Sequence, residues 1–123
     1  MGHVRVRIRL ANPERRTDGV EVQEALVDTG ATWTTIPRAL AQALDLQVIG
    51  QMAAKTAAGP QQLEQSYAHI ELAGKTMVTP LLISDTLDTM LIGVITLEAM
   101  GLAVDPGTGR LRESEVFLLP ATN

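Results

Sequence analysis

The chain has 123 residues, a formal net charge of −4, no cysteine, and only one Trp, one Tyr and one Phe. That length is enough for one domain with a real core, taken as residues 1–123. Acidic balance and scarce aromatics argue against nucleic acid as a partner, and the lack of cysteine excludes disulfides, thiolate nucleophiles and zinc–thiolate sites. It also fits a reducing, cytoplasmic compartment. No apolar run approaches about eighteen residues and the opening residues alternate, so neither a membrane span nor an export signal is expected.

From His3 to Leu10 the chain alternates, with Val4, Val6, Ile8 and Leu10 on one face and His3, Arg5, Arg7 and Arg9 on the other. This is the period of a half-buried strand. A polar turn over residues 12–19 follows, then a second strand from Val20 to Val27, with Arg–Glu pairs to Glu21 or Glu24 expected to fix the register. That strand ends abruptly in Asp28-Thr29-Gly30-Ala31. A carboxylate closing an apolar run costs several kcal/mol unless it is neutralised or hydrogen-bonded, which suggests that its charge is used.

Thr32-Trp33-Thr34-Thr35-Ile36 reads as a strand leaving the turn, and Pro37 as the first residue of a short helix reaching Leu44. Val48 to Ala57 and Gln61 to Leu72 read as strands joined by Ala58-Gly59-Pro60. Ala68, Ile70 and Leu72 share one face of the second, opposite Tyr67, His69 and Glu71. Ala73-Gly74 turns into a strand from Lys75 to Ser84. Met90-Leu91-Ile92-Gly93 is an apolar run leading into a helix-like segment that stops at Gly101. Gly107-Thr108-Gly109 closes a hairpin and lacks the strand–helix context of a phosphate loop. Val116 to Leu119 reads as a terminal strand, pairing either in the sheet or across a dimer. Regular strands with only two short helical signals indicate a mainly antiparallel β domain, closed or nearly closed.

Taken in order, these motifs resemble the retropepsin-like aspartic proteases, single-domain relatives of pepsin that work as homodimers. Asp28-Thr29-Gly30, the turn at Thr56-Ala57-Ala58-Gly59-Pro60, the apolar run ending at Ile92-Gly93 and the hairpin after Gly101, which looks like the ending of small bacterial members, carry the resemblance across roughly residues 20 to 112. It implies a closed or nearly closed β-barrel of the retropepsin type with one or two short helices. It also implies an aspartic endopeptidase with no metal and no cofactor, which binds its peptide or protein substrate as an extended strand.

By resemblance, Asp28 is the catalytic acid or base, Thr29 bonds across the dimer axis, and Gly30 brings N–H groups near the carboxylates. Ala31 completes the turn, Ile92 and Gly93 support it, and Ala57, Ala58, Gly59 and Pro60 form a flap over the substrate. One Asp-Thr-Gly per chain implies two chains, because the chemistry needs two facing carboxylates sharing one proton. Asp85-Thr86-Leu87 and Asp88-Thr89-Met90 lack the Gly and are set aside as second copies.

The chain also departs from the pattern. Thr32 and Trp33 stand where retroviral enzymes carry acidic residues, and Val94 where they often carry a basic one, so the ion pairs that brace those dimers are missing. Trp33 either lines a substrate pocket or joins the core. Ala31 offers no hydroxyl to the carboxylate, from which activity toward mildly acidic pH is expected. An alternative is the same fold without catalysis, a dimeric peptide-binding or scaffolding module, since Ala53, Ala54, Ala57 and Ala58 offer a substrate little to grip. A hydrolase using Ser66 or Thr29 with His69 fits poorly, because Ser66 and His69 face opposite sides of a strand. His3 and His69 lack the neighbours a metal site needs.

Overall fold

The computed structural model describes residues 4–115 and residue 118. Among the described residues, nine strands and two short helices run in the order β1 (Val4–Ala11), β2 (Val20–Val27), β3 (Thr35–Pro37), α1 (Arg38–Ala43), β4 (Gly50–Thr56), β5 (Gly59–Leu72), β6 (Lys75–Ser84), β7 (Leu91–Ile92), α2 (Val94–Ala99), β8 (Leu102–Val104) and β9 (Leu111–Glu113). The proposed strand at 116–119 lies outside the described residues except for Leu118, which is exposed.

Alternation in β1 sends Ile8 and Leu10 inward and Arg5 and Arg7 outward. Six strands form a ring, β1-β2-β7-β3-β6-β5, closed by pairing of β1 residues 9–11 with β5 residues 69–71. The protein is therefore a closed, mainly β barrel with two short helices. β4 hangs outside the ring on β5, and β8–β9 form a separate hairpin. Two pairings are parallel, β2 with β7 and β3 with β6, and they sit side by side around the end of β2. The barrel is filled by Ile8, Leu10, Ile36, Ile70, Leu81, Ile83, Met90 and Ile92, each at most 2% exposed. Each such side chain contributes roughly 1.5–3 kcal/mol of burial.

Several local expectations need correction. Thr32–Thr34 are not strand; β3 begins only at Thr35, because the Ala31 and Thr32 carbonyls bond to the start of α2 and the first bond to a strand is from Leu82 of β6 to the Thr34 carbonyl. Pro37 is the cap residue of α1 rather than its first helical residue, at φ −64° and ψ 148°. A fixed φ with no N–H lets it end a strand and precede a helix at once. The β4–β5 turn is Ala57-Ala58, one residue earlier than expected, since Thr56 already pairs with Gly59. Gly59 takes φ +102°, a conformation that side-chain-bearing residues rarely adopt. Arg9 donates to the carbonyls of Arg16 and Thr17 (2.8 and 3.0 Å), not to Glu21, which it only opposes in register. No described helix is long and apolar enough to cross a membrane.

Candidate active site

Asp28 follows the last residue of β2, where Val27 is paired in parallel with Ile92. Its own N–H donates to the Ile92 carbonyl (3.0 Å), which fixes the residue at the barrel end. The chain then reverses tightly. The Gly30 N–H donates to Asp28 Oδ1 (2.9 Å) and the Ala31 N–H to the Asp28 carbonyl (3.1 Å). A carboxylate bonding the backbone two residues on is a self-contained turn, which is why this motif folds locally. Asp28 is half-buried in the single chain and faces a cleft, so the expected burial is only partial. Thr29 is exposed.

Backbone bonds tie the far side of the turn to the start of α2: Val94 N–H to the Ala31 carbonyl (2.9 Å) and Ile95 N–H to the Thr32 carbonyl (3.0 Å). Gly93 makes this approach possible. A Cβ there would lie 2.5 Å from the carbonyl carbon of Trp33 and 2.8 Å from Thr32 O and Thr34 N, all backbone atoms. Ile92, fully buried beside it, anchors the same segment in the core.

Beneath the turn lies a chain of three buried threonines. Thr34 Oγ1 is 2.5 Å from Thr96 Oγ1, which is 2.6 Å from Thr79 Oγ1, and all three residues are 0% exposed. The Gly93 N–H donates to Thr34 Oγ1 (3.1 Å), and Thr79 Oγ1 reaches the Pro80 carbonyl (3.2 Å). One proton direction satisfies every group: Gly93 to Thr34, Thr34 to Thr96, Thr96 to Thr79, Thr79 to Pro80. Reversing it leaves Thr34 with no acceptor. No buried side-chain polar atom among the described residues is unpartnered, as a low-dielectric interior requires.

The cleft over Asp28 has a volume of about 680 Å³. Its floor is Asp28, Gly30, Ala31, Thr32 and Trp33, and its roof is the β4–β5 hairpin from Ala53 to Ala58. Trp33 is half-buried and borders the cleft. Ala57 and Ala58 border the cleft as well. Gly59 shapes the tip without lining the cleft, and Pro60 borders a second hollow that shares Ala53, Ala54 and Lys55 with it. Thr56 organises the tip: its hydroxyl donates to the Gly59 carbonyl (2.8 Å) and accepts the Ala58 N–H (3.1 Å).

One wall is the segment after β6. Ser84 Oγ accepts the N–H groups of Thr86 and Leu87 (3.1 Å each), presenting both residues to the cleft. Arg38 braces this wall through Asp85 and reaches Glu64 Oε1 on β5 (2.6 Å). Bonding to Asp85 and then Glu64 pushes the guanidinium pKa further up, and bonding to Arg38 holds the Asp85 carboxyl below its ordinary range. Asp85 is thus an ion-pair residue.

Ser66 is buried and its hydroxyl donates to the Gln47 carbonyl, while His69 lies in the part of β5 that crosses to β1. They form no pair. Burial, then the nearby Arg16, lowers the His69 pKa, with Glu71 partly opposing and Arg9 adding slightly. Among the described residues no three His, Asp or Glu side chains gather in a metal-ligating group.

Sequence reasoning misses Thr34, Thr79 and Thr96 beneath the turn, Arg38, Ser84, Thr86 and Leu87 in the wall, and Lys55, which also borders the cleft. Only Thr96, polar within the apolar run Val94-Ile95-Thr96-Leu97, carries any local signal.

Residues 14–99 match the family model described as "gag-polyprotein putative aspartyl protease". The chain belongs to this family and has the retropepsin-like fold. None of the curated proteins matches it. Among solved structures it is similar to the EIAV protease complexed with the inhibitor HBY-793, at 15% identity and TM-score 0.65, covering 95% of this chain and 94% of that one. It is also similar to a retropepsin-like aspartic protease from Rickettsia conorii, at 20% identity and TM-score 0.58, covering 85% and 77%. The Simian Foamy Virus (mac) protease matches at 22% identity and TM-score 0.51, covering 73% and 87%. At such identities the likeness is one of fold.

Proposed function

We propose that the chain is an aspartic endopeptidase that acts as a homodimer, hydrolysing peptide bonds with water activated by Asp28 and the partner's Asp28. The observation that carries this reading is a single half-buried aspartate on a rigid turn at the floor of a roofed cleft. One carboxylate cannot serve as base and acid at the same moment. Two facing carboxylates sharing one proton can, since like charges that close do not both ionise. A two-fold dimer supplies the second, with 1–123 acting as one domain and half of the enzyme.

In this scheme the ionised Asp28 takes a proton from water while the partner's protonated Asp28 hydrogen-bonds the scissile carbonyl. The water oxygen adds to the carbonyl carbon. Proton transfer to the amide nitrogen then breaks the C–N bond, releasing an acid and an amine. Thr29, exposed on the single chain, bonds across the axis, and Gly30 and Ala31 keep the backbone close to the carboxylates. Ile92 and Gly93 hold the turn from behind. Substrate lies as an extended strand between Trp33 and the flap, and Ala57-Ala58, shaped by Gly59 and Pro60, closes over it and excludes water.

The test is cleavage of a mixed peptide library between about pH 4 and 7, with Asp28→Asn as matched control. Cleavage by the native chain alone, rising per chain with concentration, supports the proposal. The four alanines of the flap favour one other reading, a peptide-binding module without catalysis. Peptide binding by both proteins with cleavage by neither would establish it.

A further inference from the structure

The cleft carries little charge. Apart from Asp28, the one ionisable side chain bordering it among the described residues is Lys55. Lys55 sits on β4 just before the flap tip, opposite Pro60. Exposure alternates along this strand, with Ala54 and Thr56 half-buried and Lys55 exposed. Lys55 borders both the cleft and a second hollow of about 430 Å³, as Ala53 and Ala54 do, and β4 is the outermost strand of its sheet, so Lys55 stands at an edge. None of the four ion pairs among the described residues uses it.

The rest of the roof is mostly alanine methyls, which discriminate poorly between side chains. An ammonium at the edge of that neutral roof is different. It offers three donors on a flexible four-carbon stem, and no ion pair among the described residues takes them. We propose that Lys55 reads an acidic side chain of the bound strand, so that favoured substrates carry Asp or Glu at a fixed position beneath the flap's edge. This rests on the cleft being the peptide site proposed above.

Two physical arguments bear on position. Side chains of an extended strand alternate in direction, so only every second residue can meet Lys55. The chain's net charge of −4 disfavours acidic peptides in general. A preference for acid at one position therefore comes from a local cation and not from long-range steering. In a two-fold dimer the preference appears at symmetry-related positions on both sides of the cleaved bond. Closure of the flap over the pair strengthens it by displacing water, and salt weakens it while it stays exposed.

The experiment uses peptides neutral except at one position, where Gln, Glu or Lys is placed and moved along the strand. With the native chain, Glu at the contacted position should raise kcat/KM about three- to tenfold over Gln at low salt. Lys55→Gln should remove that preference and Lys55→Glu should turn it into a preference for Lys. An unchanged profile in Lys55→Glu, with cleavage intact, overturns the Lys55 assignment and leaves the protease standing. Binding of the same peptides to Asp28→Asn and to Asp28→Asn/Lys55→Glu, followed by fluorescence anisotropy, separates the two claims. Charge-selective binding that inverts with Lys55, with no cleavage by the native chain, upholds Lys55 and overturns proteolysis. Binding without any Lys55-dependent charge preference overturns the assignment.

Discussion

The two halves of the cleft are built in opposite ways. The Asp28 turn is bound on both sides by backbone hydrogen bonds to residues 92–95, backed by fully buried Ile92 and underpinned by three threonine hydroxyls at 0% exposure. The flap has far less support. Residues 59–63 pair only with β4, and contact with β6 begins at Glu64, opposite Ile83. Glu64 is also where Arg38 takes hold. The arrangement places a fixed floor under a roof attached at its root, which suits a site where the reacting groups must stay put while a strand enters and leaves.

That contrast can be broken most directly at Gly93. Gly93→Ala drives a Cβ into the backbone of residues 32–34, which cannot move without dragging the Asp28 turn. A loss of about 3 kcal/mol or more in urea unfolding is expected. An unchanged midpoint would show that the floor is not rigid.

A matched pair of substitutions then compares floor and roof. Thr96→Val removes the central hydroxyl of the buried chain and strands its two neighbours, with an expected loss of about 1–3 kcal/mol. Thr56→Val, the same chemical change at the flap tip, is expected to cost less than about 1 kcal/mol of stability and to show instead in KM. Equal losses in the two variants would erase the distinction.

The smallest effect is expected at the flap root. Asp85, held below the ordinary carboxylate value of 3.8 by Arg38, contributes stability above that value and loses it as pH falls through its folded-state pKa. The stability difference between the native chain and Asp85→Asn should be constant near neutral pH and shrink below about pH 4. Urea midpoints across that range measure it, and a gap that persists in acid would remove Arg38 as its cause.

How far the sequence discloses this site follows from how local each feature is. The Asp28 turn is legible because an apolar strand end, a carboxylate and a glycine act within five residues. The floor's reinforcement is not. Thr34, Thr79 and Thr96 lie in three separate segments, and nothing in their neighbours tells that their hydroxyls meet. Thr32–Thr34 mislead for a related reason: β-branched and aromatic residues signal a strand, but the Thr32 carbonyl bonds to Ile95 of α2, and only at Thr34, whose carbonyl takes the Leu82 N–H, does the segment reach β6. At the flap, Gly59-Pro60 draws attention to itself, while Ala57-Ala58, poor turn formers, make the turn because Thr56 closes it. Barrel closure through β1 and β5, distant in sequence, is also beyond reading by periodicity alone.

The central claim is that each active site uses two copies of Asp28. Mixing native protein with an equal amount of Asp28→Asn protein, and allowing exchange, tests it without any other variant. Random pairing leaves about one quarter of the dimers with both aspartates, so activity per native chain should fall to about half. If activity stays proportional to the amount of native chain, whatever mutant is added, the shared dyad is contradicted.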